Sequence, residues 1–108
     1  MKVQELAAKA GLKAFNALGD REIKGVYISD MVSDIISVGE GLLLVTLQTH
    51  KNLIAAANLV DVSGIVFARG KTPAEDVVAL ANKAGISLLG FEGDTWTLAK
   101  KLYELGVR

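Results

Sequence analysis

The polar residues whose types and spacing could support chemistry fall in a few short stretches. "QTHKN" at 48–52 offers Thr49, His50 and Asn52 where an apolar run hands over to a helical one. These three could contact a small polar ligand, because open parallel sheets bind ligands beyond the C-terminal ends of their strands. The competing account makes Thr49 or Asn52 a helix cap and leaves His50 in solvent. His50 is the only histidine and no acidic cluster adjoins it in sequence, which argues against a metal site. "RGKT" at 69–72 suggests a phosphate-binding loop, but the full pattern needs a glycine with four residues between it and Gly-Lys-Thr. Ile65 stands there, and Pro73 removes one N–H from the helix start. Only weak anion binding near Arg69 or Lys71 survives that mismatch. Glu92 and Asp94 are two carboxylates in one glycine-flanked loop, where Asp94 has a simpler use as a helix cap. Trp96 and Tyr103 stand seven residues apart on one helix face, placed for stacking on a ligand or for a core or interface.

The composition bounds what such residues can do. The chain has 108 residues, one domain's worth, and a domain of this size buries about 65% of its unfolded surface. It is 51% hydrophobic and 22% charged, which argues for a compact core and against disorder. Lys+Arg and Asp+Glu each number 12, so the basic surplus of a nucleic-acid binder is missing. There are no cysteines, which excludes disulfides, thiolate nucleophiles and Cys-based metal sites. A small domain without disulfides fits a reducing cytoplasm. "MKVQELAAKA" carries charges within its apolar pattern and is no signal peptide; runs such as "LLLV" and "LIAAA" are too short to span a membrane.

The elements that must position these residues follow from apolar periodicity. Val3, Leu6, Ala7 and Ala10 share one helix face, and Gly11 with Leu12 supplies a Schellman ending. "LKAFNAL" reads as a short strand or extended segment, and "VYI" at 26–28 as another strand. Ser29 or Asp30 could cap a brief helix carrying Met31, Val32, Ile35 and Ile36. "GEG" at 39–41 is a turn, and "LLLVTL" at 42–47 is a strand buried on both faces. Leu53, Ala56, Ala57 and Val60 form the next helical stripe, and "IVFA" at 65–68 the next strand.

"TPAE" at 72–75 predicts a capping box, with Thr72 as N-cap, Pro73 at N1 and Glu75 at N3. Val77, Val78, Leu80, Ala81 and Ala84 form the buried face of that helix, ended by Gly85. "ISLL" at 86–89 is a further strand, and Asp94 caps a last helix with Leu98, Ala99, Leu102 and Leu105 inward. "KAGL", "VSGI", "KAGI" and "ELGV" repeat one pattern, as similar units ending in similar caps. Strands alternating with helices predict a single α/β domain over 1–108, with a mainly parallel sheet of about four to five strands flanked by helices.

One stretch is still unplaced. "GDREIKGVYISD" at 19–30 sets Asp-Arg before a glycine and an apolar strand that ends in Ser-Asp. It resembles the signature segment of the DRTGG domain, a small α/β module. Asp20, Arg21, Gly25, Tyr27, Ser29 and Asp30 match that outline. Lys24 stands where Thr is common, and Val26 where a second Gly is common. "TLQTHKN" resembles the next shared stretch. "ARGKTPAEDVVALANKAGISLLG" is similar to the segment the family shares with the N-terminal domain of HPr kinase.

The resemblance covers nearly the whole chain and implies a regulatory or assembly module rather than a catalyst. It implies no cofactor. It implies dimer contacts, with an interface including 20–36, and a partner such as a CBS-domain or phosphotransfer-related protein. Read bottom-up, Asp20 and Arg21 could instead pair or cap in a turn, with Gly25 supplying positive φ. A small anionic, nucleotide-like ligand would lie near Arg21, Thr49 and His50, because guanidinium suits phosphate or carboxylate. Asp20, Gly25, Ser29, Asp30 and Asn52 complete that expected site. The alternatives are an enzyme using a cleft between 20–30 and 48–52, and a plain dimerisation module.

Overall fold

The computed structural model describes all 108 residues. The elements in chain order are α1 (Val3–Ala10), β1 (Lys13–Ala14), β2 (Gly25–Ile28), α2 (Val32–Ile35), β3 (Leu42–Thr46), α3 (Lys51–Leu59), β4 (Gly64–Phe67), α4 (Glu75–Ala84), β5 (Ser87–Gly90) and α5 (Thr95–Glu104). Five strands form one sheet in the order β1-β5-β4-β3-β2, with β2 to β5 parallel and only β1 antiparallel. This is the expected α/β architecture, with β4 one residue earlier and β5 one residue later than the apolar runs suggest.

Each parallel crossover steps to the next strand in the same direction. Crossovers of one hand then place their helices on one face of the sheet. Ile35 of α2, Leu53 and Ala57 of α3, and Val77 and Ala81 of α4 accordingly pack on Leu44, Ile65, Phe67 and Leu88. The other face carries Val3, Leu6 and Ala10 of α1 and Leu98 and Leu102 of α5, over Leu43, Val45, Val66 and Leu89. Alternate residues of "LLLV" thus enter different cores, which is why that strand needs no polar face. No helix is long and apolar enough to cross a membrane.

Strand order never reverses within the parallel part of the sheet. The crevice expected at the end of β3 depends on such a reversal, where successive helices part to opposite faces. Here α3 and α4 lie side by side, so no deep cleft opens there.

Helix ends show where local signals won or lost. Gly11, Gly85 and Gly106 adopt left-handed conformations at φ 67°, 71° and 86°. The N–H groups of Leu12, Ile86 and Val107 then donate back to Ala7, Ala81 and Leu102 at 3.0, 2.9 and 3.0 Å, as Schellman endings require. The "VSGI" member departs from the pattern. Val62 N–H donates to Ala57 at 3.1 Å, but the left-handed residue is Asp61 (φ 59°), and Gly64 belongs to β4.

The "TPAE" capping box does not form. Ala74 is the N-cap of α4 and no side chain caps it. Residues 68–71 instead make a tight turn with positive φ at Arg69 and Gly70 and a Lys71 N–H to Ala68 O bond of 3.2 Å. That is the pattern of a type I′ turn. Pro73 is buried, and the helix begins two residues beyond it. Leu80, expected in the core, is 39% exposed. Asp94 does cap α5, its carboxylate accepting from Thr97 N–H at 2.8 Å. Hydrogen bonding to Thr97 holds the Asp94 carboxyl below its ordinary range.

Thr72→Ala should change stability by less than about 0.5 kcal/mol in urea titration, as for an exposed residue that caps nothing. A depressed carboxyl pKa contributes stability that is present above the unfolded value and lost as pH falls through the folded one. Asp94→Asn should therefore lower Tm near neutrality and narrow the gap to wild type as pH drops through the acid range.

Candidate functional site

The segment from 15 to 24 decides where the signature residues lie. β1 sits at one sheet edge and β2 at the other, so the chain must traverse four inter-strand spacings, about 19 Å. It does so along the N-terminal ends of the strands, tied at successive steps. Phe15 N–H donates to Leu88 O at 2.9 Å. The Asn16 amide donates to Ile86 O at 2.9 Å and accepts from Leu88 N–H at 2.8 Å, mimicking a strand partner. Gly19 N–H donates to the buried Ser87 hydroxyl at 2.8 Å. Ser63, also buried, donates to Glu22 O at 2.7 Å.

Arg21 is the central tie. Its guanidinium donates to Val62 O at 2.8 Å and Asp61 O at 3.2 Å, and pairs with the Asp61 carboxylate at 3.0 Å. One planar fork thus satisfies two backbone carbonyls and the charge of a left-handed residue. Neither Asp20 nor Asp30 neutralises it; the partner comes from the far end of α3. Asp20 is exposed and takes part in no ion pair. Gly25 does not supply positive φ either. It lies in β2, where an added Cβ would meet Leu42 Cδ2 at 3.0 Å and Arg108 O at 3.6 Å. The backbone that approaches this glycine is the chain's own C-terminus.

The other expected residues gather at the opposite ends of the strands. Asp30 does not cap α2. One carboxylate oxygen accepts from the Thr46 hydroxyl at 3.0 Å and from Leu47 N–H at 2.7 Å, clamping the end of β2 to the end of β3. Ser29 accepts from Met31 N–H at 3.1 Å and donates to Asp34 at 3.2 Å, a local turn rather than a cap. The cap of α3 is His50, whose Nδ1 accepts from Asn52 N–H at 3.1 Å. Neither Thr49 nor Asn52 performs that task. Thr49 and His50 line a shallow hollow of about 300 Å³ with Gln48, Lys51, Ala74, Asp76 and Val77.

The expected cluster is therefore split. Val62, held by Arg21, precedes Gly64, which pairs with Leu43, whereas His50 lies beyond Thr46. The length of β3 separates them, about 15 Å at strand rise. One pocket holding Arg21, Thr49 and His50 does not exist in this fold. Phosphate-loop geometry is absent too, since Arg69, Gly70 and Lys71 N–H groups donate to Gly93, Phe91 and Ala68 carbonyls.

A feature not expected from the sequence is an apolar face. Val26, Tyr27, Ile28, Ala99, Leu102, Tyr103 and Val107 line a depression of about 340 Å³ between β2 and α5, all of them hydrophobic. Trp96 and Tyr103 are 72% and 61% exposed. Their seven-residue spacing placed them on one face correctly but carried no sign of whether that face was covered.

If Arg21 acts as a structural tie, Arg21→Ala should cost about 2 kcal/mol by urea titration, the scale of lost charged hydrogen bonds. Asp61→Gly should cost less than Asp61→Ala, because glycine adopts positive φ without strain.

No curated protein matches the chain. Among solved structures it is similar to the CBS and DRTGG domains of the regulatory region of Clostridium perfringens pyrophosphatase, determined in complex with its activator, diadenosine tetraphosphate. The TM-score is 0.70 at 16% identity, over 94% of this chain and 45% of that one. The likeness is thus one of fold, and this chain spans less than half of the neighbour. The family model of the DRTGG domain matches residues 3–105. With that span, and with the Asp-Arg segment folded across the strand ends, the chain belongs to the DRTGG domain family.

Proposed function

We propose that the chain is a non-catalytic regulatory and assembly module that acts by association of two copies and by uptake of a small anionic ligand. The observation that carries the association is the hydrophobic face between β2 and α5. Exposed apolar area of this kind, next to a sheet edge, marks an interaction site on a soluble domain. Met31 and Ile36, 59% and 50% exposed, add apolar surface at the two ends of α2, which follows β2. This agrees with an interface that includes part of 20–36.

The ligand reading is supported by the nucleotide activator bound to the pyrophosphatase regulatory region. In this chain the hollow at Thr49, His50 and Lys51 is the better candidate, with Lys51 and the N-terminus of α3 favouring negative charge against the opposing Asp76 carboxylate on the same lining. Arg21 has no part in it. A CBS-domain protein is the partner class that fits, given the neighbour's composition. A catalytic role is disfavoured by how the polar groups are used. Arg21, Ser29, Asp30 and His50 each hold backbone in place, and no buried side-chain polar atom is left without a partner.

Sedimentation equilibrium of the purified chain should show a dimer at micromolar concentration; a monomer throughout would reject association. Thermal-shift measurements with ATP and diadenosine tetraphosphate should show stabilisation that Lys51→Glu removes and Arg21→Ala keeps. A shift lost only in Arg21→Ala would move the site to the other end of the sheet.

A further inference from the structure

We propose that the β2 edge is completed by β2 of a second copy, antiparallel across a two-fold axis, so that two sheets become one of ten strands. This rests on the association reading above and names its geometry. β2 hydrogen-bonds to β3 alone, so its other edge is open. Open edges are normally blunted by charge, proline or a bulge. Gly25–Ile28 has none of these, its short length being its one protection, and its pairing with β3 runs without a break from Gly25 to Ile28.

The register follows from alternation. Ser29 N–H donates to Val45 O at 3.1 Å, so by alternation Tyr27 also points its backbone at β3 and Val26 and Ile28 point theirs outward. An antiparallel partner then sets Val26 of one copy opposite Ile28 of the other, as hydrogen-bonded pairs. Tyr27 faces its own counterpart on the axis as a non-hydrogen-bonded pair, with Cα atoms about 4.5 Å apart.

The flanking helices suit the same axis. Leu102 and Tyr103 of α5 line one depression with Val26, Tyr27 and Ile28, Val26 being the strand residue that packs on the α5 side. A two-fold through this level runs the two α5 helices antiparallel and sets Lys100 of one copy near Glu104 of the other. Both residues line the outer face beside Trp96 and Tyr103, and neither has an ion pair within its own chain. The face is thus self-complementary in charge as well as in apolar surface, which is the requirement of a C2 interface. Ile28, exposed on the edge strand itself, is buried by the same contact.

The absence of cysteine makes the register directly testable. Tyr27→Cys should form a disulfide-linked dimer under mild oxidation, whereas Leu59→Cys, on the exposed far side of α3, should not. Ile28→Lys should weaken the dimer by at least about tenfold in sedimentation, by placing charge on the paired edge. Lys100→Glu should weaken it and the added swap Glu104→Lys should restore it. A wild-type monomer would overturn both this geometry and the association reading. A wild-type dimer that Ile28→Lys and Lys100→Glu leave intact, with no Tyr27→Cys cross-link, would overturn the geometry alone. Should Tyr27→Cys not fold, Ile28→Lys and the charge swap decide the matter.

Discussion

The fold depends on one long traverse. Because β1 and β2 occupy opposite sheet edges, residues 15–24 must run without regular structure across the strand ends. A segment in that position needs partners for its backbone, since buried, unpaired amide groups cost free energy comparable to a lost hydrogen bond. Asn16, Ser63 and Ser87 provide them one strand at a time, and Arg21 provides the largest tie. The Arg21 contact also acts on its partner. Asp61 is held in a left-handed conformation that costs a non-glycine residue about 1–2 kcal/mol. The guanidinium offsets this by pairing its carboxylate and carbonyl together. The Asp-Arg segment therefore positions the entry to β4 as much as it positions itself.

At the other end of the strands Asp30 has the matching task. With β2 an edge strand only four residues long, little else fixes where it stops. The Asp30 carboxylate joins it to Thr46 and Leu47, and Thr46 in turn accepts from Gln48 N–H at 3.0 Å. Gln48 then accepts from His50 N–H, and His50 caps α3. This relay runs from the end of the signature segment into the proposed ligand hollow, through side chains that each hold the next stretch of backbone. It gives β2 a physical link to the start of α3, and so links the open edge to the hollow where Thr49 and Lys51 lie.

What the sequence determined by itself was periodic and local. Val3, Leu6, Ala7 and Ala10 announced α1 because burial follows the helical repeat, and the Gly-plus-apolar endings announced three Schellman turns. The continuous run at 42–47 announced a strand covered on both faces, which ends one residue earlier at Thr46. Asp94 announced its cap because that interaction needs only the three residues that follow it. The polar residues that mark the family were legible as unusual for the same reason: such clusters stand out against an apolar background.

Only the tertiary structure decided what those residues touch. Arg21 meets Asp61 forty residues away, and no local rule selects that partner over Asp20 or Asp30. A left-handed Asp61 was detectable in principle, since Asp tolerates positive φ at a helix end, but Gly64 nearby offered the simpler reading. The Thr72 box failed because long-range bonds from Arg69 and Gly70 to the β5–α5 loop bend the chain before a cap can form. Thr49 and Asn52 lost the α3 cap to His50 because the helix begins at Lys51, which puts His50 at the N-cap, Thr49 before it and Asn52 inside the first turn. The separation of Arg21 from His50 follows from strand order alone: they flank opposite ends of neighbouring parallel strands, and sequence spacing carries no record of which end a loop occupies.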